Sequence, residues 1–353
     1  MTPGLAVRLR AVARAAALCL FVVLLAACAR PQLFHQEAYV FGTRVDLTVY
    51  GDSQAQAVAA MAAVLQEFDR LHHALHAWQP SEVTRLNEAL AQGDPAEVSE
   101  ELAMLLADAT EIAERGDELF DPALGRLIAL WGFHDEEFEP ELPDADALET
   151  VLAARPRMSD LSIDGTTVTS DNPAVQIDLG GYAKGYALDR AAAILREMGV
   201  GNALINIGGN VMALGGKGDL PWRIGIQHPR EPRPLATLPL YDGEAIGTSG
   251  DYQRFFEIDG ERYSHLLDPR TGYPAEGTQA LTVLVTPRER AGTWSDAASK
   301  SPFISGDDWL SYLRAYDIEH GLRVADDGRI EVTREMRARL QIPSGVGPMR
   351  VVD

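Results

Sequence analysis

Cysteine is almost absent from this 353-residue chain: the only two are Cys19 and Cys28, both near the amino terminus. Beyond Cys28 no thiol remains for a disulfide, for thiolate catalysis or for a cysteine zinc site, so stability there rests on the core. Positive charge is also scarce, with 31 Lys and Arg against 52 Asp and Glu and a formal net charge of −21. Such a surface repels nucleic acid and anionic lipid, and admits an anionic cofactor only where a local cationic site reverses the field. No apolar run is long enough to span a bilayer comfortably, which takes about 20 residues. No repeat and no flexible linker divides residues 35 to 340. Composition is that of a folded protein, 46% hydrophobic and 24% charged.

The amino terminus reads as an export signal. Arg8, Arg10 and Arg14 precede the apolar run Ala15 to Ala27, which ends in Leu25-Ala26-Ala27-Cys28. This resembles a bacterial lipobox, implying removal of residues 1–27 and lipid on Cys28. Ala29 rather than Asp after the cysteine favours the outer membrane over the inner, on the periplasmic side. A plain secretory signal and an uncleaved anchor are the alternatives. Residues 28–36 then read as a lipidated linker and 37–342 as one domain. The stretch after Pro343 reads as a loose tail.

Within that domain, Tyr39 to Tyr50 alternates as a half-buried strand. Gln54 to Leu75 has helical spacing, as does Ser99 to Arg115, with Glu100 and Glu101 at its positive end. Asp164-Gly165 and Asp259-Gly260 mark hairpins, because Asp-Gly accepts the positive φ of a type I′ turn. Val175 to Leu179 reads as a buried strand running into a helix over Tyr182 to Met198. Further strands are expected at 203–207, 222–226, 244–248 and 280–286, and helices near 288–299 and 307–316. The elements interleave without strict β-α-β alternation and with antiparallel hairpins, which points to an α+β class with a mixed sheet. An acidic surface loop lies around Asp135 to Asp146.

The join between strand and helix reads Asp178-Leu-Gly180-Gly181-Tyr-Ala-Lys184-Gly185, neither G-x-x-x-x-G-K-[ST] nor G-x-G-x-x-G. Backbone N–H groups, a helix dipole and Lys184 meet there, which suits an anion. Equally, the glycines serve a tight turn and Lys184 is solvated. Asn206-Ile-Gly208-Gly209-Asn210, Gly247-Thr248-Ser249-Gly250 and His265-Leu-Leu-Asp268-Pro269-Arg270-Thr271-Gly272 follow in order, each by itself a turn. With Phe41-Gly42-Thr43, Ser81 to Asn87, Phe120-Asp121-Pro122, Trp131-Gly132-Phe133 and Ser295-Asp296-Ala297-Ala298, this ordered set resembles the ApbE-type FAD:protein FMN transferases over nearly all of residues 39 to 305.

The resemblance implies a single T-fold-related domain that binds FAD with magnesium. It implies transfer of FMN to a threonine hydroxyl of an acceptor redox protein carrying a Ser/Thr-rich motif, with release of AMP. Hydrolysis of FAD to FMN and AMP, or FAD binding without turnover, are the alternatives. Phe41, Trp78, Leu119, Phe120, Asp121, Asp178, Lys184 and Leu266 fall on flavin-contacting positions, and Trp78 stands where the family often has tyrosine. A core role for Trp78 is the other reading. His265 falls on the histidine implied as the base, since an imidazole near an acceptor hydroxyl takes its proton; a structural histidine is the alternative. Gly181, through its carbonyl, and Asp296 fall on metal ligands.

Four residues after Asp296 the family commonly has threonine, where this chain has Lys300 preceded by Ser299. An ammonium carries no lone pair for a metal. In one reading Asp296, Ser299 and Gly181 hold magnesium while Lys300 touches a phosphate. In another, Lys300 takes over part of the cation's work. In a third, Asp296 and Lys300 form a surface i,i+4 pair.

Overall fold

The computed structural model describes residues 31–135 and 140–353. The leader segment 1–27, Cys19 and the proposed lipid site Cys28 lie outside the described residues. Nine strands form the main sheet: β1 (Gln32–Val40), β2 (Thr43–Gly51), β3 (Ala203–Ile207), β4 (Asn210–Leu214), β5 (Ala245–Gly250), β6 (Thr278–Val285), β7 (His320–Ala325), β8 (Ile330–Thr333) and β9 (Met349–Val352). Their spatial order follows the chain, and every pair is antiparallel except β8 with β9. The α+β class with a mixed, largely antiparallel sheet is thus observed.

Alternation along the central strands feeds two cores. Met212, Leu214, Leu281, Val283 and Val285 face a helical layer. That layer holds α1 (Gln54–Leu75), α2 (Glu82–Gln92), α3 (Glu100–Arg115) and α4 (Ala183–Glu197). Val211, Ala213, Ala280 and Leu284, pointing the other way, pack on a ribbon of residues 222–227 and 234–240 and on Met336 and Leu340. Strands buried on both faces therefore sit at the centre of the sheet. A satellite cluster of Leu127, Trp131, Phe133, Leu148, Phe256 and Leu267 supports the hairpin before His265.

Several expectations are corrected. Tyr39 to Tyr50 is not one strand: Phe41 and Gly42, at φ 57° and 66°, turn between β1 and β2. Strand β1 begins at Gln32, inside the stretch read as linker. Met349–Val352, inside the stretch read as a loose tail, hydrogen-bonds in parallel to β8 and packs Met349 and Val352 on the two cores. Val175 to Leu179 is extended and alternately buried but joins no sheet. Its hydrogen bonds go to Ala123, Pro122 and the side chain of Asn87 instead. The helix expected over 288–299 starts later and is split into α5 (Ala291–Ala297) and α6 (Lys300–Ile304). Helix α2 escaped the periodicity because it is short, although Ser81 and Thr84 form a capping box at its start.

Candidate active site

The segment before α4 is held rigidly. Asn87 Nδ2 donates to the Ile177 carbonyl at 2.9 Å, and the Ile177 N–H donates to Asn87 Oδ1 at 2.7 Å. Asp178 N–H reaches the Pro122 carbonyl at 2.8 Å. Outward from this clamp, Asp178 turns the chain by accepting the Gly180 N–H at 2.7 Å on Oδ1. Its other oxygen accepts the indole N–H of Trp78 at 3.0 Å. Trp78 is half-buried: it packs against the edge of the main core, lies 5.1 Å from His134 and caps this turn.

Helix α4 begins with no side-chain cap of its own. Its Gly185 N–H donates instead to Asp296 Oδ2 at 2.9 Å, across a close crossing of α4 and α5. A carboxylate on free N–H groups at a helix start is favourable both by hydrogen bonding and by the dipole. The third glycine of the motif serves this crossing: a Cβ on Gly185 would lie 2.5 Å from the Gly292 carbonyl oxygen and 2.7 Å from Thr293 Cα. Likewise Gly247 on β5 lies so close to the Ser295 backbone that only glycine fits.

Lys184, Asp296 and Lys300 form one cluster. Lys184 Nζ donates to the Gly180 carbonyl at 3.0 Å and stands 3.9 Å from Asp296 Oδ2. Lys300 Nζ donates to Asp296 Oδ1 and to the Asp296 carbonyl, both at 2.6 Å. Asp296 and Lys300 are buried, so the surface-pair reading is overturned. Burial by itself pushes the Asp296 carboxyl up, but Lys184, Lys300 and the Gly185 N–H outweigh it and hold the group ionised. Burial pulls the Lys300 ammonium down, against the pull of Asp296. Ser299 Oγ donates to the Asp296 carbonyl at 2.7 Å and accepts from Ser249, at 2.7 Å, on β5.

His265 leaves the hairpin of residues 255–258 and 261–264 half-buried. Its Nδ1 is 3.1 Å from the Arg254 carbonyl, which only accepts, so Nδ1 carries the proton and Nε2 keeps its lone pair. Desolvation first, then the charges of Lys184, Arg254 and Lys300, push its pKa down to about 3. The imidazole is therefore neutral at neutral pH. The same interaction places His265 within electrostatic reach of both lysines.

The remaining residues expected to contact flavin are placed differently. Phe120 is buried with its ring centroid 5.9 Å from Lys300 Nζ, and Leu119 precedes it in the core. Asp121 is buried and turned inward, accepting from Ala123 and Met158 N–H groups; desolvation raises its pKa to about 7. Phe41 packs at 5.9 Å from both Phe68 and His72. Leu266 is buried, its carbonyl accepting from Ala275. Asn87, Ser249 and Gly292 were assigned no role from the sequence, because their partners lie far away along the chain.

The donor set does not suit the magnesium implied by the family. Each Asp296 oxygen is engaged by a protein donor, and one of those donors is an ammonium. Elsewhere, His35, Glu37 and Asp46 approach one another at the exposed end of the first hairpin, but Arg44 pairs with both carboxylates.

A mixed, largely antiparallel sheet under a helical layer, with two ammonium groups gathered on one carboxylate at a helix start, defines the class as an α+β protein. The ApbE family profile matches residues 41–321, and the chain belongs to the ApbE family. An FAD:protein FMN transferase of Rhodobacter capsulatus is 44% identical over 89% of this chain, which spans 60% of that protein's length. One from Klebsiella pneumoniae is 31% identical, covering 82% of this chain and 84% of the relative. The ApbE protein of Thermotoga maritima superposes with TM-score 0.80 at 33% identity, covering 88% of this chain and all of that one. The flavin transferase ApbE of Vibrio cholerae superposes at 0.76 with 25% identity, over 88% of this chain and all of the other.

Proposed function

We propose that this protein moves the FMN half of FAD onto a threonine or serine hydroxyl of an acceptor redox protein. The observation that carries this reading is the gathering of Lys184 and Lys300 on Asp296 at the start of α4, together with His265, whose Nδ1 is held on the Arg254 carbonyl so that Nε2 keeps its lone pair. The relatives named FAD:protein FMN transferase support it. In the step, the acceptor oxygen attacks the FMN phosphorus and its proton passes to His265 Nε2. The P–O bond to the AMP half breaks, and AMP leaves as its phosphate. Lys184 and Lys300 offset the charge on the pyrophosphate, in a reaction where positioning and electrostatics supply most of the catalysis.

Free of ligand, an imidazole pushed down to about 3 is a weak base. Desolvation is the main cause and the lysines add to it; a bound pyrophosphate opposes the lysines' share, so substrate raises the basicity of the group that must act on it by that share. Magnesium is given no step, because the Asp296 oxygens are already engaged. We further propose export, cleavage before Cys28 and attachment to the periplasmic face through lipid, on the strength of the leader sequence.

The test is the mass of an acceptor domain incubated with FAD and the protein. A gain of one esterified FMN, lost in His265→Ala, is expected. AMP released over an unmodified acceptor panel would make the protein a hydrolase. Intact, bound FAD with the same panel would make it a carrier.

A further inference from the structure

Beside Gly181 and Asp296, the two residues that the family resemblance would have hold a divalent ion, the space is filled by a side chain. A Cβ on Gly181 would lie 3.0 Å from Lys300 Cε and 2.8 Å from the Phe120 ring, so the methylene stem of the lysine runs against the Gly181 backbone. From there Nζ reaches Asp296, 2.6 Å from both Oδ1 and the carbonyl oxygen. Asp296 Oδ2 holds the Gly185 N–H, and Ser299 Oγ points its proton at the Asp296 carbonyl. A magnesium ion needs oxygens at about 2.0–2.1 Å in near-octahedral array. An ion on these oxygens would stand within a few ångström of the Lys300 ammonium, a like charge in a buried setting, and the lysine stem occupies the space beside Gly181.

The substituting group is itself a cation, and this makes it more than a blockage. Two ammonium groups, Lys184 and Lys300, face one carboxylate, which leaves a net positive charge at the helix start. Lys300 has three N–H donors, two of which are spent on Asp296, so one remains for a ligand oxygen.

We propose that Lys300 is a built-in cation that replaces the divalent ion, so that the pyrophosphate of FAD binds to Lys184 and Lys300 without magnesium. This rests on the FAD reading given above. Mn2+ serves as the probe for the vacated metal function, since its free-ion EPR signal falls on binding.

With the wild-type protein, added Mn2+ should keep its free signal. FAD affinity, read from flavin fluorescence, should agree within about threefold between excess EDTA and excess Mg2+. Lys300→Thr frees the Asp296 oxygens and adds a hydroxyl. It should bind Mn2+ and lose at least about tenfold in FAD affinity in EDTA, recovering with Mg2+. Lys300→Met keeps the stem without the charge, and should lose FAD affinity that Mg2+ does not restore. Either variant may be replaced by the wild-type measurements if it does not fold. Stoichiometric Mn2+ binding to the wild type, or FAD affinity that collapses in EDTA, would overturn the proposal while leaving the FAD reading intact. Absence of FAD binding in both conditions would overturn the FAD reading and this proposal with it; the Mn2+ signal would still report whether the lysine excludes a divalent ion.

Discussion

Replacing Gly185 by alanine sets two physical effects of opposite sign against each other. Alanine is the better helix former, by about 1 kcal/mol in a helix interior. Yet the added methyl would sit 2.5 Å from the Gly292 carbonyl oxygen, 2.7 Å from Thr293 Cα and 2.7 Å from Asp296 Cβ. Two of these three atoms are backbone, so no rotamer change relieves the clash and α4 must move away from α5. Forced overpacking of this kind costs typically about 1–3 kcal/mol and occasionally more. Steric cost should win, leaving a net loss of up to about 2 kcal/mol and a melting temperature lower by a few degrees.

Because Gly185 N–H is the donor that holds Asp296 Oδ2, the same shift should weaken FAD binding. Thermal unfolding by circular dichroism and flavin fluorescence titration read the two effects separately. Gly51→Ala is the control: no atom lies within 4 Å of its Cβ position and its φ is ordinary. It should change stability by no more than about 0.5 kcal/mol. A Gly185→Ala protein that melts at or above the wild-type temperature would refute the idea that this glycine exists for the helix crossing.

Three further outcomes are expected. The His265 ring, followed by NMR in the free protein, should titrate well below 6.5 and move upward on adding FAD; an ordinary midpoint in the free protein would contradict its assigned surroundings. By linkage, since its folded pKa lies below its unfolded one, its contribution to stability is complete above about pH 6.5 and is lost as pH falls toward 3. Asn87→Ala strips the Ile177 N–H and C=O of their partners in a buried setting and should cost roughly 2–4 kcal/mol in denaturant unfolding; a loss under about 1 would mean that water replaces the amide. Asp121 has the opposite sign to His265: its folded pKa, about 7, lies above its ordinary 3.8, so its contribution is present below about pH 4 and lost as pH rises through 7. Asp121→Asn keeps an acceptor for Ala123 and Met158, and should be the more stable protein at pH 8, by about 4 kcal/mol at most, with the gap closing toward pH 4.

What could be read from the sequence followed the range of the interactions concerned. Helices α1 and α3 were legible because their stripes and caps are local, and Asp259-Gly260 placed one hairpin because both residues take positive φ; the other hairpin is there too, but it turns on Gly165-Thr166, with Asp164 still paired to Thr167 and not at positive φ. The ordered short motifs were legible as a family. Their physical purposes were not: Gly185 answers to Gly292, Gly247 to Ser295 and Asn87 to Ile177, all across long stretches of chain. The Val175 to Leu179 segment shows the same limit from another side. Its alternation was real, but whether an extended segment joins a sheet depends on which neighbour supplies its hydrogen bonds, and here the non-strand segment 122–125 on one side and the Asn87 side-chain amide on the other do so. A surface pair of Asp296 and Lys300 is one reading the i,i+4 spacing allows, because spacing reports a shared helix face and says nothing about what covers that face.

Burial also decides what the Asp296–Lys300 pair is worth. An exposed pair at this spacing contributes a few tenths of a kcal/mol, whereas removing one partner of a buried pair costs about 3–5 kcal/mol, because the other charge is stranded. Threonine at position 300 would leave the buried Asp296 to Lys184 and the Gly185 N–H alone, with Oδ1 unpaired, and a protein with threonine there has a structural reason to recruit a metal. Lysine removes that reason. In a chain with a net charge of −21, the two arrangements reach the same end, a local positive field at a helix start where an anion can settle. They differ in what the surroundings must supply, since a covalently attached ammonium is present whatever the concentration of magnesium outside the protein.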